Sequence, residues 1–528
     1  MTRAVETLPP GSRTRRLGAD FAAMTGGWVV RAALGVLISV VTARYLQPDD
    51  MGRYAFLVWL AGLLAVVLSL GLPTTVTRYS AEAIGSRQPA AAGALLGLVV
   101  RWQATLALAA AALMVVAVLV VPAAWRLPLA LTALSVPPLV LHGSVAAFLS
   151  GLHVFGWQAL LGVGTLALQA GLFVLVAGLD GGVGGLLLAH AMTNVVGLGV
   201  VAWLARREGR RHGALPGAGP LGADARADVI RYARSASALV VLDAVVWQRT
   251  EVAFLQALAP AAEVAFYALA FGVAAQVSRI PYQLSVVLFP SFPALVGGGR
   301  VSELAGLHAT AMRYLVLLGA PLAVGLAVTA PAIVRLLYGP AYAPAAPVLA
   351  VLALGSLVAF AAGASPAVLH ATKRQDRLLR QGMLAAAVDL VLALVLIPVA
   401  GALGAALASV AAQALGSVLA IHAAVRIAGA GVPTAALVRV TAAALAMGVV
   451  AAVPVFALGG AAGLLTAVLL GAAAYPLALR ALHALSAEDL DRARVLIERL
   501  PARVRAGGLV VAGYLCRGPV PEPWSPSR

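Results

Sequence analysis

Long apolar runs follow one another along nearly the whole chain, separated by short polar stretches that hold most of the charged residues. The runs reach about 20 residues, the length that an α-helix needs to cross a bilayer. They do not alternate between apolar and polar positions, as strands of a membrane β-barrel do. The pattern predicts fourteen membrane-spanning helices, over residues 21–46, 54–78, 92–121, 127–150, 156–179, 183–205, 236–258, 264–296, 313–337, 345–370, 382–400, 402–427, 434–457 and 461–483.

Composition leads to the same fold class. Of the 528 residues, 62% are hydrophobic and 11% are charged, whereas soluble domains carry about 25% charged residues. The sequence therefore predicts an all-α polytopic membrane protein with about 14 transmembrane helices. The net charge of +17 does not indicate nucleic-acid binding, because the basic residues lie between and beside the apolar runs, as the positive-inside rule requires.

The polar connections differ in charge in a way that predicts orientation. The stretch 206–234 holds seven arginines, and the connection 371–381 is also strongly basic. The connections that alternate with these basic ones along the chain contain acidic residues, namely Asp49, Asp50, Asp180 and Glu263. Basic loops stay in the cytoplasm, so both termini of this multi-pass chain are expected to be cytoplasmic. The expected location is the cytoplasmic membrane of the cell.

A Gly/Pro-rich segment at 209–224 divides the apolar runs into two sets. The two sets are faintly similar, since Pro48 follows the first span and Pro260 follows the seventh. We predict a cytoplasmic N-terminal segment (1–20), an N-terminal six-helix bundle (21–205), a cytoplasmic linker (206–235), a C-terminal six-helix bundle (236–427), two additional transmembrane helices (434–483) and a cytoplasmic tail (484–528).

The stretch Ser235–Ala257 is apolar enough to span a bilayer, yet it contains charged residues. A charge at the centre of a membrane helix costs about 2.5–3.5 kcal/mol on insertion scales. In one continuous helix, Asp243, Trp247 and Glu251 would form a single stripe, and Arg249 would lie off it. The pattern is typical of a helix that lines a polar cavity, and it is also typical of a buried ion pair that holds helices together.

Four stretches resemble one known family. They are Ala43–Leu57, which reads ARYLQPDDMGRYAFL, Glu251–Ala268, which reads EVAFLQALAPAAEVAFYA, the ending Leu288–Pro290, and Leu337–Ala408, which contains LYGPAYAP and IPVAGALGAALA. In this order they resemble the polysaccharide and oligosaccharide flippases of the multidrug/oligosaccharidyl-lipid/polysaccharide exporter superfamily. The resemblance extends over roughly residues 20–425. It implies two six-helix bundles around a central cavity, and the movement of lipid-linked oligosaccharides to the outer leaflet.

A substrate of that kind would need a wet, cationic cavity, because it carries an anionic pyrophosphate. Arginine suits phosphate because its planar group donates two parallel hydrogen bonds and stays charged. The candidate substrate-binding residues are Arg31, Arg101, Arg249 and Arg279. Arg279 is the strongest of them, since it lies in mid-span beside Pro281. The other reading is that Arg31 and Arg101 reach the membrane surface, while Arg249 pairs with an acid.

Three acids inside spans are candidates for ion coupling, namely Asp243, Glu251 and Asp389. A carboxylate whose charge is costly in a low dielectric can act as a switch that a proton or sodium ion operates. Structural pairing with the arginines explains them equally well. No metal motif or cofactor motif is present in the sequence, so no cofactor is expected beyond coupling to protons or sodium.

The expected function is therefore the flipping of undecaprenyl pyrophosphate-linked oligosaccharide for cell-surface polysaccharide export. A lipid II flippase and a multidrug exporter of the same superfamily are alternatives. A membrane-embedded glycan polymerase or ligase fits less well, because every predicted outer loop is short. The chain is not expected to be an enzyme. The expected partners are lipid-linked oligosaccharide and membrane lipids, with other polysaccharide-assembly proteins as candidates and no nucleic acid.

Overall fold

The computed structural model of the chain describes residues 30–217, 219, 222, 226–233, 237, 249–289, 291–429, 431–485, 489, 505 and 513. Across these residues the regular structure is helical, and no strand occurs among them. The predicted N-terminal segment 1–20, Asp243, Trp247 and most of the predicted tail lie outside the described residues.

The helices follow the apolar runs of the sequence. In chain order they are α1 (30–45), α2 (Pro48–Ser69), α3 (Leu72–Gly85), α4 (Pro89–Ala117), α5 (Ala123–Gly151), α6 (Phe155–Gly178), α7 (Gly182–His212), α8 (226–233), α9 (Glu251–Leu258), α10 (Ala261–Leu288), α11 (Ser291–Gly297), α12 (Leu304–Tyr338), α13 (Ala345–Ala362), α14 (Ser365–Ala371), α15 (Gln375–Ala428), α16 (Thr434–Ala457) and α17 (Gly460–Ala481). Two short 3₁₀ turns, Val301–Glu303 and Pro340–Tyr342, flank α12.

Eleven helical segments in the described part of the chain are long and apolar enough to cross a membrane. The longest, α15, has 54 residues and contains two of the predicted spans. The chain is thus an all-α polytopic membrane protein, and the described segments are consistent with about 14 transmembrane helices.

The two spans within α15 meet at Gly401, whose φ of 52° and ψ of −128° are not helical. The chain folds back here so closely that a Cβ on Gly404 would lie 2.3 Å from the carbonyl oxygen of Leu396. Only glycine fits such an approach between backbones, and a positive φ also favours glycine. The IPVAGALGAA segment is therefore the tight turn of a helical hairpin.

Several predicted spans are interrupted in the described part of the chain, which the hydropathy pattern does not predict. The predicted span 54–78 is interrupted at Leu70 and Gly71, which have φ of 48° and 63°. The carbonyl groups exposed by this break accept side-chain hydrogen bonds, from Gln103 to Ser69 at 3.2 Å and from Ser237 to Leu70 at 2.7 Å. These bonds satisfy backbone acceptors that water cannot reach inside a membrane.

The second interruption separates α13 from α14, within the predicted span 345–370. Gly363 and Ala364 lie between the two helices, and Pro366 follows in the first turn of α14. Proline cannot donate to the carbonyl four residues earlier, so the helical hydrogen-bond pattern stops here. Interrupted helices of this kind often border binding sites in transporters.

The chain divides into two compact units, residues 1–265 and 266–528. In the first unit, the Gly/Pro-rich segment 213–217 is packed tightly against α4. The amide of Gly217 donates to the carbonyl of Gly93 at 2.9 Å. A Cβ on Gly93 would lie 2.1 Å from the carbonyl oxygen of Leu215, and one on Gly97 would lie 2.8 Å from Gly217 Cα. This part of the predicted linker is thus bound to the unit.

Helix α8 of the same predicted linker is attached to α3. The guanidinium of Arg78 lies 4.7 Å from the ring centroid of Tyr232, a cation–π distance. The hydroxyl of Tyr79 donates a hydrogen bond to the carbonyl of Asp228 at 3.4 Å.

The domain boundaries predicted from the sequence stay predictions.

In the second unit, α12 is the helix against which the last two membrane helices pack. Val324 of α12 and Met447 of α16 belong to one buried apolar cluster. The hydroxyl of Tyr475, on α17, donates to the carbonyl of Leu317 at 2.8 Å. In the third turn of α12, Arg313 forms an ion pair with Asp489 at 2.5 Å. The additional helices are therefore held to the unit by apolar and polar contacts.

Candidate functional site

A cavity of about 470 Å³ lies within the second unit, in the apolar part of the helices. Five helices contribute to its wall: α10, α12, α13, α14 and α15. The residues that line it include Phe271, Ser278, Arg279, Ser285, Ser356, Phe360, Gly363 and Gln413. The volume is within the range of about 300–1,000 Å³ that is usual for small-molecule sites.

Among the described residues that line the cavity, Arg279 is the one that carries a charge. Its side chain is exposed, and no ion pair with a carboxylate involves it in the part of the chain that the structure describes. Pro281 lies two residues further on, and α10 continues through it to Leu288. The cavity thus presents a permanent cation beside a proline that removes one backbone hydrogen bond from the helix.

Two serines in the wall, Ser278 and Ser356, are joined by a hydrogen bond. The hydroxyl of Ser356 donates to the carbonyl of Leu352, one turn earlier in α13, at 3.1 Å. The oxygens of Ser278 and Ser356 are 3.2 Å apart. Either hydroxyl of this pair can be the donor, because a hydroxyl proton rotates to suit its partners.

The rest of the wall is mainly apolar, with Phe271 and Phe360 among its larger side chains. One part of it coincides with the break between α13 and α14. A Cβ on Gly363 would lie 3.0 Å from the Ser285 hydroxyl oxygen, so α10 approaches the break closely. The cavity is therefore amphipathic, with a few polar groups set into an apolar surface.

The other three candidate arginines belong to the first unit, and none of them lines this cavity. The guanidinium of Arg31 packs on α6, where a Cβ on Gly162 would lie 3.2 Å from Nη1. Arg101 is exposed on α4. Arg249 is half-buried and has a left-handed backbone with φ of 55°. Their assignment to substrate binding stays a prediction.

The conformation of Arg249 corrects one expectation. The stripe of Asp243, Trp247 and Glu251 requires an unbroken helix over these residues. The left-handed Arg249 interrupts helical geometry, and α9 begins at Glu251. Glu251 therefore cannot continue an i, i+4, i+8 stripe from Asp243, which itself lies outside the described residues.

Of the three candidate acids for ion coupling, the two that the structure describes are both buried. Glu251 is 4% exposed and lies in the first turn of α9, where the helix dipole stabilises a negative charge. Asp389 is 9% exposed and lies in the first half of α15. The role of Asp243, Glu251 and Asp389 in ion coupling stays a prediction.

The ARYLQPDDMGRY segment forms a packed turn between α1 and α2. The hydroxyl of Tyr45 accepts from the amide of Gly182, at the start of α7, at 2.7 Å. The carboxylate of Asp49 accepts from the amide of Ala262, in the first turn of α10, at 3.2 Å. A Cβ on Gly52 would lie only 1.8 Å from the carbonyl oxygen of Ala261. The motif residues thus join three helix ends in the first unit.

Sequence reasoning missed three polar residues of the cavity wall, namely Ser278, Ser356 and Gln413. A signal was present for Ser278, which directly precedes Arg279 in α10. Ser356 and Gln413 are isolated polar residues in apolar helices, and such residues commonly bond to a helix carbonyl or a neighbouring helix. Only the fold shows that residues of α10, α13 and α15 line one cavity.

Comparisons with known proteins agree with this architecture. The sequence model of the family described as "Polysaccharide biosynthesis protein" matches residues 17–296, which is more than half of the 528 residues. No curated protein sequence matches the chain.

Several solved structures share the fold. A lipid II flippase MurJ in an inward closed conformation superposes with a TM-score of 0.69 at 14% identity, over 86% of this chain and 97% of that one. A multidrug resistance MATE family transporter of the MOP superfamily, in an inward-facing conformation, gives 0.59 at 13% identity, over 76% and 98%. A MOP superfamily transporter from Pyrococcus furiosus gives 0.55 at 13% identity, over 77% and 94%. At these identities the likeness shows the fold alone.

Proposed function

The chain belongs to the polysaccharide biosynthesis protein family, and from this premise we propose that it flips lipid-linked oligosaccharide from the cytoplasmic to the outer leaflet. The proposed carrier is undecaprenyl pyrophosphate, the membrane is the cytoplasmic membrane, and the product serves cell-surface polysaccharide. The observation that supports the proposal most is Arg279, a permanent cation in an amphipathic cavity of a multi-pass membrane protein.

The physical problem of flipping is the transfer of an anionic, hydrated headgroup through hydrocarbon. Arginine is well suited to this task, since its guanidinium replaces hydration by paired hydrogen bonds to phosphate oxygens. The apolar wall around Arg279 lowers the local dielectric, so attraction between the cation and the pyrophosphate is stronger than in water. The polyprenyl tail can remain in lipid while the headgroup moves.

A lipid II flippase is the nearest alternative, because its substrate has the same pyrophosphate and carrier and differs in the glycan. A multidrug exporter for cationic compounds is less compatible with Arg279, because like charges in an apolar cavity repel. We propose transport without enzymatic activity. Coupling to protons or sodium through Asp243, Glu251 and Asp389 is part of the proposal, as is substrate binding by Arg31, Arg101 and Arg249.

Transport can be measured with purified protein in lipid vesicles that contain fluorescent undecaprenyl pyrophosphate oligosaccharide. We expect the protein to move the glycan to the outer surface, where an added glycosidase removes it, faster than in protein-free vesicles. Lipid II, with its peptide-bearing headgroup, serves as the second substrate. Faster movement of lipid II than of the oligosaccharide would favour the alternative, and movement of neither would overturn the proposal.

The orientation is tested with reporter fusions. The basic connections 206–234 and 371–381 predict that fusions after Gly209 and Lys373 report the cytoplasm. Fusions after Asp180 and Tyr342 should report the outside. An alkaline phosphatase and fluorescent protein pair at each of the four positions distinguishes the two sides. The opposite pattern at two positions would contradict cytoplasmic termini.

A further inference from the structure

We propose that α6 and α7 of the first unit form a binding surface for an anionic phospholipid of the surrounding membrane. The surface lies where α6 begins and α7 ends, which the basic connection 206–234 predicts to be the cytoplasmic side. It consists of Trp157, Trp203, Arg207 and Arg211, and we call it the arginine–tryptophan surface. It contains no residue of the cavity in the second unit, and it does not depend on which substrate is transported.

Arg207 lies between two exposed tryptophan rings. Its guanidinium carbon is 5.4 Å from the ring centroid of Trp203 and 6.0 Å from that of Trp157, and both are cation–π distances. The two rings are 56% and 46% exposed. Trp203 belongs to α7 and Trp157 to the first turn of α6, and these two helices pack against each other. Arg207 is therefore positioned at the junction of the two helices.

The exposed residues of α7 follow the order of the parts of a lipid. Trp203, Arg207 and Arg211 are four residues apart, so they lie in one stripe at the end of the helix. Deeper in the same helix, the exposed residues Val195 and Val196 are apolar. Tryptophan prefers the boundary between hydrocarbon and headgroups, and arginine reaches toward the headgroups. Acyl chains, glycerol region and phosphate of one lipid thus meet matching side chains.

The charge at the end of α7 favours an anion. Residues 206–211 contain four arginines and one acid, Glu208. Glu208 is 6% exposed, and it accepts a hydrogen bond from Nη1 of Arg211 at 2.9 Å. Its carboxylate also lies 3.9 Å from Nε of Arg207. The acid is thus buried beside the arginines, which are themselves accessible, and clusters of arginine beside a membrane helix attract anionic lipids.

Arg207 keeps its hydrogen-bond donors for a ligand. A guanidinium has five N–H donors, and none of those of Arg207 forms a hydrogen bond to another residue that the structure describes. A lipid phosphate can accept two parallel hydrogen bonds from it. A soluble anion would use the arginines alone, and an acidic protein segment would not cover the apolar residues deeper in α7. A phospholipid occupies both parts of the surface.

Lipid binding to the purified full-length protein in detergent tests the proposal. The probes are phosphatidylglycerol and phosphatidylcholine with identical acyl chains, and native mass spectrometry measures the affinity for the first lipid bound. The measured quantity is the ratio of the two affinities, because a defect in folding or a lost apolar contact affects both lipids alike. We expect phosphatidylglycerol to bind several-fold more tightly. A ratio near one would overturn the proposal and favour an acidic protein as the occupant.

Variants of two arginines show whether the preference for phosphatidylglycerol is local. Arg207→Ala should lower the ratio by about 5-fold, the usual contribution of one basic residue at a membrane surface. Arg207→Lys keeps the charge without the planar donors and should recover only part of the ratio. Arg374→Ala is the matched control, because it removes an exposed arginine from the basic connection 371–381, which contains no tryptophan. An unchanged ratio in Arg207→Ala, or an equal loss in Arg374→Ala, would overturn the proposal.

Fluorescence quenching shows where the lipid binds. Phosphatidylglycerol with brominated acyl chains quenches the tryptophans that it contacts, and brominated phosphatidylcholine gives the background. We expect the double variant Trp157→Phe and Trp203→Phe to lose most of the quenching that is specific to phosphatidylglycerol. Trp125→Phe removes a ring from the start of α5 and should leave this quenching unchanged. Undiminished specific quenching in the double variant would overturn the proposal. None of these measurements uses lipid-linked oligosaccharide, so their outcome is independent of the proposed function.

Discussion

Replacing Arg279 by alanine is expected to abolish flipping of lipid-linked glycan while the protein stays inserted and folded. Arg279 is exposed to the cavity, so its removal leaves no buried group without a partner. The pyrophosphate would then enter an apolar cavity that lacks its one cation. Loss of one partner of a desolvated charge pair costs about 2–5 kcal/mol. Even about 2–3 kcal/mol corresponds to a rate that is roughly 30- to 150-fold lower.

The lysine variant separates charge from geometry. Arg279→Lys keeps the positive charge and loses the planar pair of donors, so we expect it to recover only part of the transport. Arg335→Ala is a suitable control, because it removes an exposed arginine near the end of α12 that does not line the cavity. Initial rates in vesicles, normalised to the amount of folded protein, provide the comparison. Wild-type transport in Arg279→Ala would exclude Arg279 from the site.

Double variants test the reading in which Arg279 only neutralises an acid. If that reading is right, removing both partners should restore much of the activity that one removal costs. The pairs are Arg279→Ala with Asp243→Asn, and Arg279→Ala with Glu251→Gln. A substrate-binding arginine predicts no recovery in either pair. Full transport in one of them would show that Arg279 is structural.

Hydropathy predicted the spans well because the need for about 20 apolar residues is a property of the bilayer itself. The turn between the spans of α15 was also predictable, since Gly401 and Gly404 divide its apolar run. The break after α2 was missed although Gly71 and Pro73 indicate it, because apolar residues continue on both sides. Hydropathy measures transfer to lipid and is insensitive to the backbone angles that interrupt a helix.

Of the residues that line the candidate site, only Arg279 could be predicted from the sequence, because it carries a charge within a membrane span. Arg279 was found because a mid-span arginine is costly and calls for an explanation. Ser278, Ser356 and Gln413 carry no such cost, and their function depends on which helices pack together. The left-handed Arg249 was not predictable either, since arginine rarely adopts a positive φ.

Close packing at Gly52 predicts a large effect of a single substitution on stability. Gly52 lies in the second turn of α2, where the helix touches the backbone at the start of α10. A Cβ there would lie 1.8 Å from the carbonyl oxygen of Ala261 and 2.5 Å from its carbonyl carbon. The clashing atoms belong to the backbone, so a change of rotamer cannot relieve the overlap. The approach also brings Asp49 within 3.2 Å of the Ala262 amide, which it caps.

Gly52→Ala should therefore force α2 away from the start of α10 and remove the Asp49 cap at the same time. We expect a loss at the upper end of the roughly 1–3 kcal/mol that is typical of overpacked sites, with a lower melting temperature of the purified protein. Gly62→Ala is the matched control, because Gly62 lies on the same helix and a methyl group added to it would have no atom within 4 Å. Alanine favours the helical conformation more than glycine does, so Gly62→Ala should be neutral or slightly stabilising.

Asp49→Ala removes the cap alone and should cost about 1 kcal/mol. Equal melting temperatures for Gly52→Ala and Gly62→Ala would contradict the close contact, whereas the order Gly62→Ala, Asp49→Ala, Gly52→Ala from most to least stable follows from its geometry.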